Sequence, residues 1–342
     1  MRLEGIVNPW GENLRMSGPP SFGSDRKQIA YYRFEGARWG GNWQVWADPD
    51  LVGDKSGGNI FIVELDKTTG KARGAISRLS DELVFRETGA SFSPDGNFVA
   101  FKREIAGTTS FDLVIRSLRS GEDRIYTVSP EASGNGKPVW FHDSRSVATG
   151  LSGTGFHRFD LQSGKSTLIR NALVPTAISP NNRILYTLTR DAKNQVSIVE
   201  TDISTGAEKQ ILITGFLSPP DGLGLLFLSP DGRTLAFLHQ ASGQTRLARV
   251  EVDGSGFREL PTSGSPYRML TWSRDGRALF FGQMNVTGTS SPEVRIMRMP
   301  AMDGAPEFTG LTLKGVSNGD AIDLNADGSR LIFSAGSATI SP

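Results

Sequence analysis

Nucleophilic, metal and phosphate chemistry each need particular side chains at particular spacings, and those decide what this 342-residue chain can attempt. It has no cysteine, which excludes a thiolate nucleophile, a cysteine-based zinc site and a disulfide framework. The three histidines, His142, His157 and His239, stand apart in sequence, so no metal site is expected from them. Asp48, Asp50 and Asp54, with Asn59, offer hard oxygen ligands of the kind calcium takes. Their spacing departs from the EF-hand loop at its third position and lacks the closing Glu, so a solvated loop is expected. Gly164-Lys165-Ser166 ends like a phosphate-binding loop, but Phe159 stands where the first glycine is required, and the segment reads as a hairpin turn. Gly153-Thr154-Gly155 meets Arg158 at the third glycine position without a strand-to-helix context, so no dinucleotide fold is expected. No serine satisfies Gly-x-Ser-x-Gly; Gly150-Leu151-Ser152 fails at Thr154. Asn285-Val286-Thr287 fits a glycosylation acceptor, a common chance match. The sequence therefore predicts no catalytic residue, no metal ligand and no cofactor.

Recognition is better supplied. Arg38, Trp39, Trp43 and Trp46 fall within residues 34–58, and three of the six tryptophans in one segment give it an interface-like composition. The alternative is an extra strand over residues 43–47 whose tryptophans pack on the body of the protein. With 37 Lys+Arg against 36 Asp+Glu the net charge is +1, so no one-signed field exists to hold a nucleic-acid backbone or an anionic membrane. No apolar run approaches the roughly 20 residues of a membrane span. Residues 1–16 lack the pattern of a signal peptide, which leaves either a cytoplasmic chain or one given without its export signal.

The elements that must position these residues come from a repeat. Phe92-Ser93-Pro94-Asp95-Gly96 leads into Phe98-Val99-Ala100-Phe101, and Leu228-Ser229-Pro230-Asp231-Gly232 into Leu235-Ala236-Phe237. Trp272-Ser273-Arg274-Asp275-Gly276 and Leu324-Asn325-Ala326-Asp327-Gly328 keep the frame, and degenerate copies occur around Asp143, Asn181 and Asp25. Markers at 25, 95, 143, 181, 231, 275 and 327 give seven units at steps of 38 to 70 residues. A period of about 40 to 50 residues fits four short strands per unit, the spacing of propeller blades. In each motif Pro presets φ, Asp bonds its own downstream amides and Gly accepts positive φ, so each motif is a hairpin turn. Alternating β-branched stretches bounded by Asp and Gly follow, as in residues 59–70, 113–121, 197–206 and 249–254, and read as a second hairpin per unit. No segment shows a sustained helical period.

The expected fold is all-β: a single domain over residues 1–342, a seven-bladed β-propeller of four-stranded antiparallel blades, with six or eight blades as alternatives. The last unit stops after two strands, and a hairpin of residues 2–7 and 13–17 is expected to complete it, so that both chain ends share one blade and the ring closes. The alternative is truncation at the C-terminal end. If each motif turn joins the inner two strands, the remaining connections gather on the opposite face. Arg86, Lys137, Tyr267, Arg268 and Asp320 then enter the inner strands from that face, a mixed-sign mouth suited to a peptide or a sugar.

The Ser-Pro-Asp-Gly units and the Asp-x-x-x-Gly hairpins after them resemble the TolB-like, or PD40, branch of WD40-like propellers over nearly the whole chain. They also resemble the propeller domains of prolyl oligopeptidase-like enzymes, but no hydrolase domain follows. The resemblance implies a non-catalytic platform for a protein or peptide partner, monomeric, periplasmic or otherwise extracytoplasmic, or the sensor part of a larger assembly. TolB itself is similar in this use but carries an N-terminal α/β domain that this chain lacks. The alternatives are a propeller enzyme of lyase, lactonase or glycosidase type using the central channel, and a carbohydrate-binding module that stacks sugars on Trp39 and Trp43.

Overall fold

A computed structural model describes residues 59–341 apart from 80–86, 105–110, 128–136, 152–154, 171–176, 191–195, 215–225, 242–243, 263–265, 286–292, 303 and 317–320. The described residues form strands and turns only, with no helix that could cross a membrane. The first two strands, β1 (Asn59–Leu65) and β2 (Ala72–Arg78), wait for partners from the far end of the chain. Blade 1 follows, with β3 (Glu87–Phe92), β4 (Phe98–Glu104), β5 (Phe111–Ser117) and β6 (Asp123–Thr127). Blade 2 holds β7 (Val139–Trp140), β8 (Ser146–Leu151), β9 (Gly155–Asp160) and β10 (Ser166–Arg170). Blade 3 holds β11 (Ala177–Ile178), β12 (Ile184–Arg190), β13 (Val196–Asp202) and β14 (Glu208–Thr214). In blade 4 are β15 (Leu226–Leu228), β16 (Thr234–Ala241), β17 (Gln244–Glu251) and β18 (Arg258–Glu259). Blade 5 is built from β19 (Pro266–Trp272), β20 (Ala278–Asn285), β21 (Glu293–Pro300) and β22 (Glu307–Lys314). Blade 6 begins with β23 (Ile322–Leu324) and β24 (Arg330–Ala335), and a last strand, β25 (Ser337–Ile340), crosses back to the outer edge of blade 5.

The propeller thus has six blades, not seven. Consecutive innermost strands touch all the way around, from β3 through β7, β11, β15 and β19 to β23, which meets β3 again. The unit around Asp25 lies outside the described residues, and the hairpin of residues 59–78 does not belong to a blade of its own. It completes blade 6: β1 pairs with β24 from Asn59↔Ala335 to Glu64↔Arg330, and β2 is the outer strand. The last unit is completed by an earlier hairpin, as expected, but that hairpin is 59–78 rather than residues 2–17, and the two chain ends do not share the blade, since β25 joins blade 5. Ile60 and Val63 give the hairpin the two apolar faces that blade 6 requires.

Side chains on either face of a blade can be buried only against a neighbouring blade, and six apolar clusters among the described residues correspond to the six seams. Ile60, Ile332, Phe92, Phe101 and Val114 fill the seam between blades 6 and 1, where the ring closes. The seam between blades 5 and 6 holds Val63, Leu65, Phe280, Ile296, Leu331 and Phe333. The other four are filled in the same way.

Each motif turn satisfies its own polar groups. In blade 4 the Ser229 hydroxyl donates to Asp231 at 2.6 Å, the Arg233 amide donates to the same carboxylate at 3.1 Å, and the Thr234 amide donates to Ser229 Oγ at 2.9 Å. Blades 1, 3 and 5 repeat the set around Asp95, Asn181 and Asp275. Glycine takes the left-handed corner in four turns, whereas blades 2 and 3 place Ser144 (φ 56°) and Asn182 (φ 61°) there. Those two side chains accept hydrogen bonds from the preceding blade: Asp95 N donates to Ser144 Oγ at 3.1 Å and His142 N to Asn182 Oδ1 at 2.7 Å. The strain of a non-glycine corner is thereby offset by a bond between blades.

Where the chain passes from blade 6 to blade 1, a charged network pins it. Arg116 holds Asp123 through two bonds of 2.6 and 2.8 Å and also donates to the Leu79 carbonyl. Arg103 bridges Asp123 at 3.2 Å and the buried Glu87 at 2.9 Å, the first residue of β3.

Asn182→Ala keeps the strained corner and loses the acceptor, so it should destabilise the protein by about 1–2 kcal/mol, whereas Asn182→Gly should cost less than about 1 kcal/mol because it relieves φ. Urea unfolding measures both. The Ser273 hydroxyl and then the Arg277 amide hold the Asp275 carboxyl below its ordinary range, and the Ser229 hydroxyl does the same for Asp231. Such groups contribute stability above about pH 4 that is lost as pH falls. Burial lowers the imidazoles of His142 and His239, so their contribution is full above about pH 6.5 and lost below it. The urea midpoint should therefore drop in two stages on acidification, and His142→Gln should shrink the first.

Candidate functional site: the central channel

One repeat position on the inner strands, two residues before the first turn residue, carries Ser91, Val139, Ala177, Phe227, Thr271 and Asp323, and three of these, Phe227, Thr271 and Asp323, gather around Lys137 or its partner. Lys137 stands just before β7. Its backbone is set by Pro138, whose carbonyl accepts from Ser91 Oγ at 2.8 Å, and Trp140 Nε1 donates to the Ser91 carbonyl at 3.2 Å. Trp272, at the position equivalent to Trp140, donates to the Phe227 carbonyl at 2.8 Å. These bonds lock inner strands of adjacent blades and hold the channel wall in place.

The Lys137 ammonium crosses the lumen to blade 6. It lies 3.3 Å from Asp323 Oδ1 and 3.3 Å from the Ile322 carbonyl, and 5.4 Å from the centre of the Phe227 ring in blade 4. Asp323 accepts from Thr271 Oγ1 of blade 5 at 3.1 Å and from the Phe92 amide of blade 1 at 2.9 Å. Five of the six blades meet at this one ion pair. The lysine side chain retains 16% exposure and the aspartate 13%, so the pair is largely withdrawn from water. Chemically it offers an ammonium and a carboxylate committed to each other, flanked by a hydroxyl and an aromatic face.

At the motif-turn mouth, His142 and Arg274 replace the proline of the repeat. Both reach the next blade's inner strand at the same repeat position: His142 Nε2 lies 3.3 Å from the Ile178 carbonyl, and Arg274 donates to the Leu324 carbonyl and, at 2.9 Å, to that of Asn325. The contact makes Nε2 the protonated nitrogen of a neutral His142. His157 lies on β9, and His239 is buried on β16 with Nε2 3.2 Å from Glu259 Oε1. The three histidines thus occupy separate places, and no three His, Cys, Asp or Glu side chains converge among the described residues.

Of the residues singled out from sequence, Lys137 is in the channel, engaged with Asp323. Tyr267 and Arg268 lie on the backbone of β19, at an irregularity in its pairing with β20. Arg38, Trp39, Trp43, Trp46, Arg86 and Asp320 lie outside the described residues, as do Asp48, Asp50 and Asp54. Asn59 begins β1 and accepts from Arg78 at 2.5 Å; Asn285 ends β20. Sequence reading missed Asp323, Thr271 and Phe227, although their shared offset from the motif turn carries the signal.

No family model matches the chain, and no curated protein matches it. Solved structures do. A TolB of Agrobacterium tumefaciens is 18% identical, with a TM-score of 0.62, over 83% of this chain and 98% of that one. An oligogalacturonate lyase in complex with manganese is 16% identical, with a TM-score of 0.53, over 80% of this chain and 78% of that one. A structure of a nidogen/laminin complex contains a chain 12% identical, with a TM-score of 0.52, over 72% of this chain and 92% of that one. The described channel residues do not fit a manganese centre: Asp323 is already held by three donors, and none of the three histidines is placed beside it as a ligand.

Lys137→Met should leave a mostly buried carboxylate short of its cation and destabilise the protein by about 2–4 kcal/mol in urea unfolding. Adding Asp323→Asn should recover part of that loss, the mark of a coupled pair.

Proposed function

We propose that this protein, whose fold is that of a TolB-like β-propeller, serves as a non-catalytic platform that holds a protein or peptide partner on the face opposite the motif turns. The observation that carries this reading is the difference between the two faces. On the motif face the turns spend their polar groups on themselves and on neighbouring turns. The opposite face takes the C-terminal ends of β4, β8, β12, β16 and β20, away from the motif turns, and loops at such strand ends are where binding residues are most often carried. Lys137, which leads into β7 from that face, is already engaged with Asp323, which leaves the surrounding rim to hold a partner. Arg38, Trp39, Trp43, Trp46, Arg86, Tyr267, Arg268 and Asp320 are the proposed contacts, with residues 34–58 as a binding insertion. The nidogen/laminin complex is a protein–protein assembly that contains a similar propeller. By resemblance to TolB, the platform works outside the cytoplasm, as a monomer or within a larger assembly.

A photocrosslinker at Trp43 or Tyr267 should capture a discrete protein, which then binds again in purified form and is weakened at least about tenfold by Trp43→Ala. A crosslinker at Asn97, on the motif face, should not capture it; equal capture from both faces would sink the proposal. The second reading is a sugar-acting enzyme, favoured by the oligogalacturonate lyase neighbour. Incubation with oligogalacturonate and manganese tests it directly, and formation of unsaturated uronate would establish it in place of the platform.

A further inference from the structure

The outer strands of most blades are exposed, as in β2 and β18, but β22 is not: Thr309, Leu311, Thr312 and Leu313 are all buried. β25 is what covers it. It pairs antiparallel from Leu311↔Ile340 to Lys314↔Ser337, with Ser341 N donating to the Gly310 carbonyl at 2.8 Å and Gly336 N to that of Lys314 at 2.9 Å. Gly310, at φ 90°, admits the close approach, since a Cβ there would sit 3.0 Å from the Ser341 carbonyl oxygen. The covering strand is slight by comparison. Its four residues, Ser337-Ala338-Thr339-Ile340, carry no charge and none is fully buried; Ala338 and Ile340 pack against the apolar cluster between blades 5 and 6, and the tether to β24 is Gly336 alone.

We propose that the β22 edge is a strand-accepting site for a partner protein, and that β25 occupies it as an exchangeable intramolecular stand-in. The site lies on the rim of the propeller, so it is a second interaction surface independent of the face proposed above. The occupant it fits is an extended, uncharged segment with a small residue and a β-branched residue at alternate inward positions, as Ala338 and Ile340 are now. Backbone bonds to β22 supply affinity and the two inward positions supply selectivity. The unusually apolar acceptor cannot be left bare without becoming an aggregation-prone edge, which is why the chain covers it with its own strand.

The probe is a fluorescently labelled peptide of residues 336–341, followed by anisotropy. A tethered strand acts at an effective concentration of about millimolar, so the intact chain should bind the peptide at least about tenfold more weakly than a chain ending at Ala335. Thr339→Pro, which removes a ladder donor while keeping the full chain, should bind like the shortened protein. A peptide with Ile340→Asp should fail on both. Amide exchange on the intact chain adds a readout that needs no variant: β22 amides facing β25 should exchange by local opening well before those of β21. Equal protection of β22 and β21, no peptide binding by a folded variant, or equal binding by the intact chain overturns the proposal. A concentration-dependent dimer that exchanges β25 would overturn it too, in favour of a second copy as occupant. None of these outcomes bears on the crosslinking result at the connection face.

Discussion

Ring closure is the constraint on which everything else depends. A four-stranded blade has two apolar faces and can bury neither alone, so its stability resides in the seams it shares with its neighbours. Six seams exist for six blades only if the last meets the first, and that contact is made by strands at opposite ends of the described chain, β1 with β24. An open ring would leave the Ile60, Ile332, Phe92 and Phe101 cluster in water. The Arg116–Asp123 and Arg103–Glu87 pairs stand at this join, and Arg116 also donates to the carbonyl of Leu79, just after β2.

Closure also determines what the channel can be. With six blades the inner strands come near enough for one lysine to span the lumen, and Asp323 collects donors from blades 1, 2 and 5. The arrangement ties non-adjacent blades directly, which seam packing cannot do. The motif face is tied by a different means: Ser144 and Asn182 at glycine corners and His142 and Arg274 at proline corners each bond a neighbouring blade. These four departures from the repeat consensus are thus places where a side chain gains a partner across a seam. Chemistry that might be read into a histidine or an arginine at those positions is already accounted for by structure.

The hairpins were legible because their causes are local. Ser, Asp and Gly at fixed offsets dictate a turn whatever surrounds it, and the alternation of Phe98-Val99-Ala100-Phe101 dictates a strand with two buried faces. Lys137 could be picked out because its distance before the Asp143 turn places it at the entry to an inner strand, on the face opposite that turn. That its ammonium would be paired was not legible, since Asp323 lies 186 positions away and only the ring brings the two to 3.3 Å.

The amino-acid order alone thus determined the all-β class, the four-stranded unit, the turn chemistry and the lack of cysteine-based chemistry, all of which depend on residues a few positions apart. Tertiary structure decided the blade number, the identity of the closing hairpin, the fifth strand on blade 5 and the pairing of Lys137 with Asp323. The physical reason is that a hairpin's pattern specifies its two faces but not which sheet receives it. Residues 59–78 could have served an early unit or the last one, and the choice fell to the sheet whose unpaired edge and apolar face they complete.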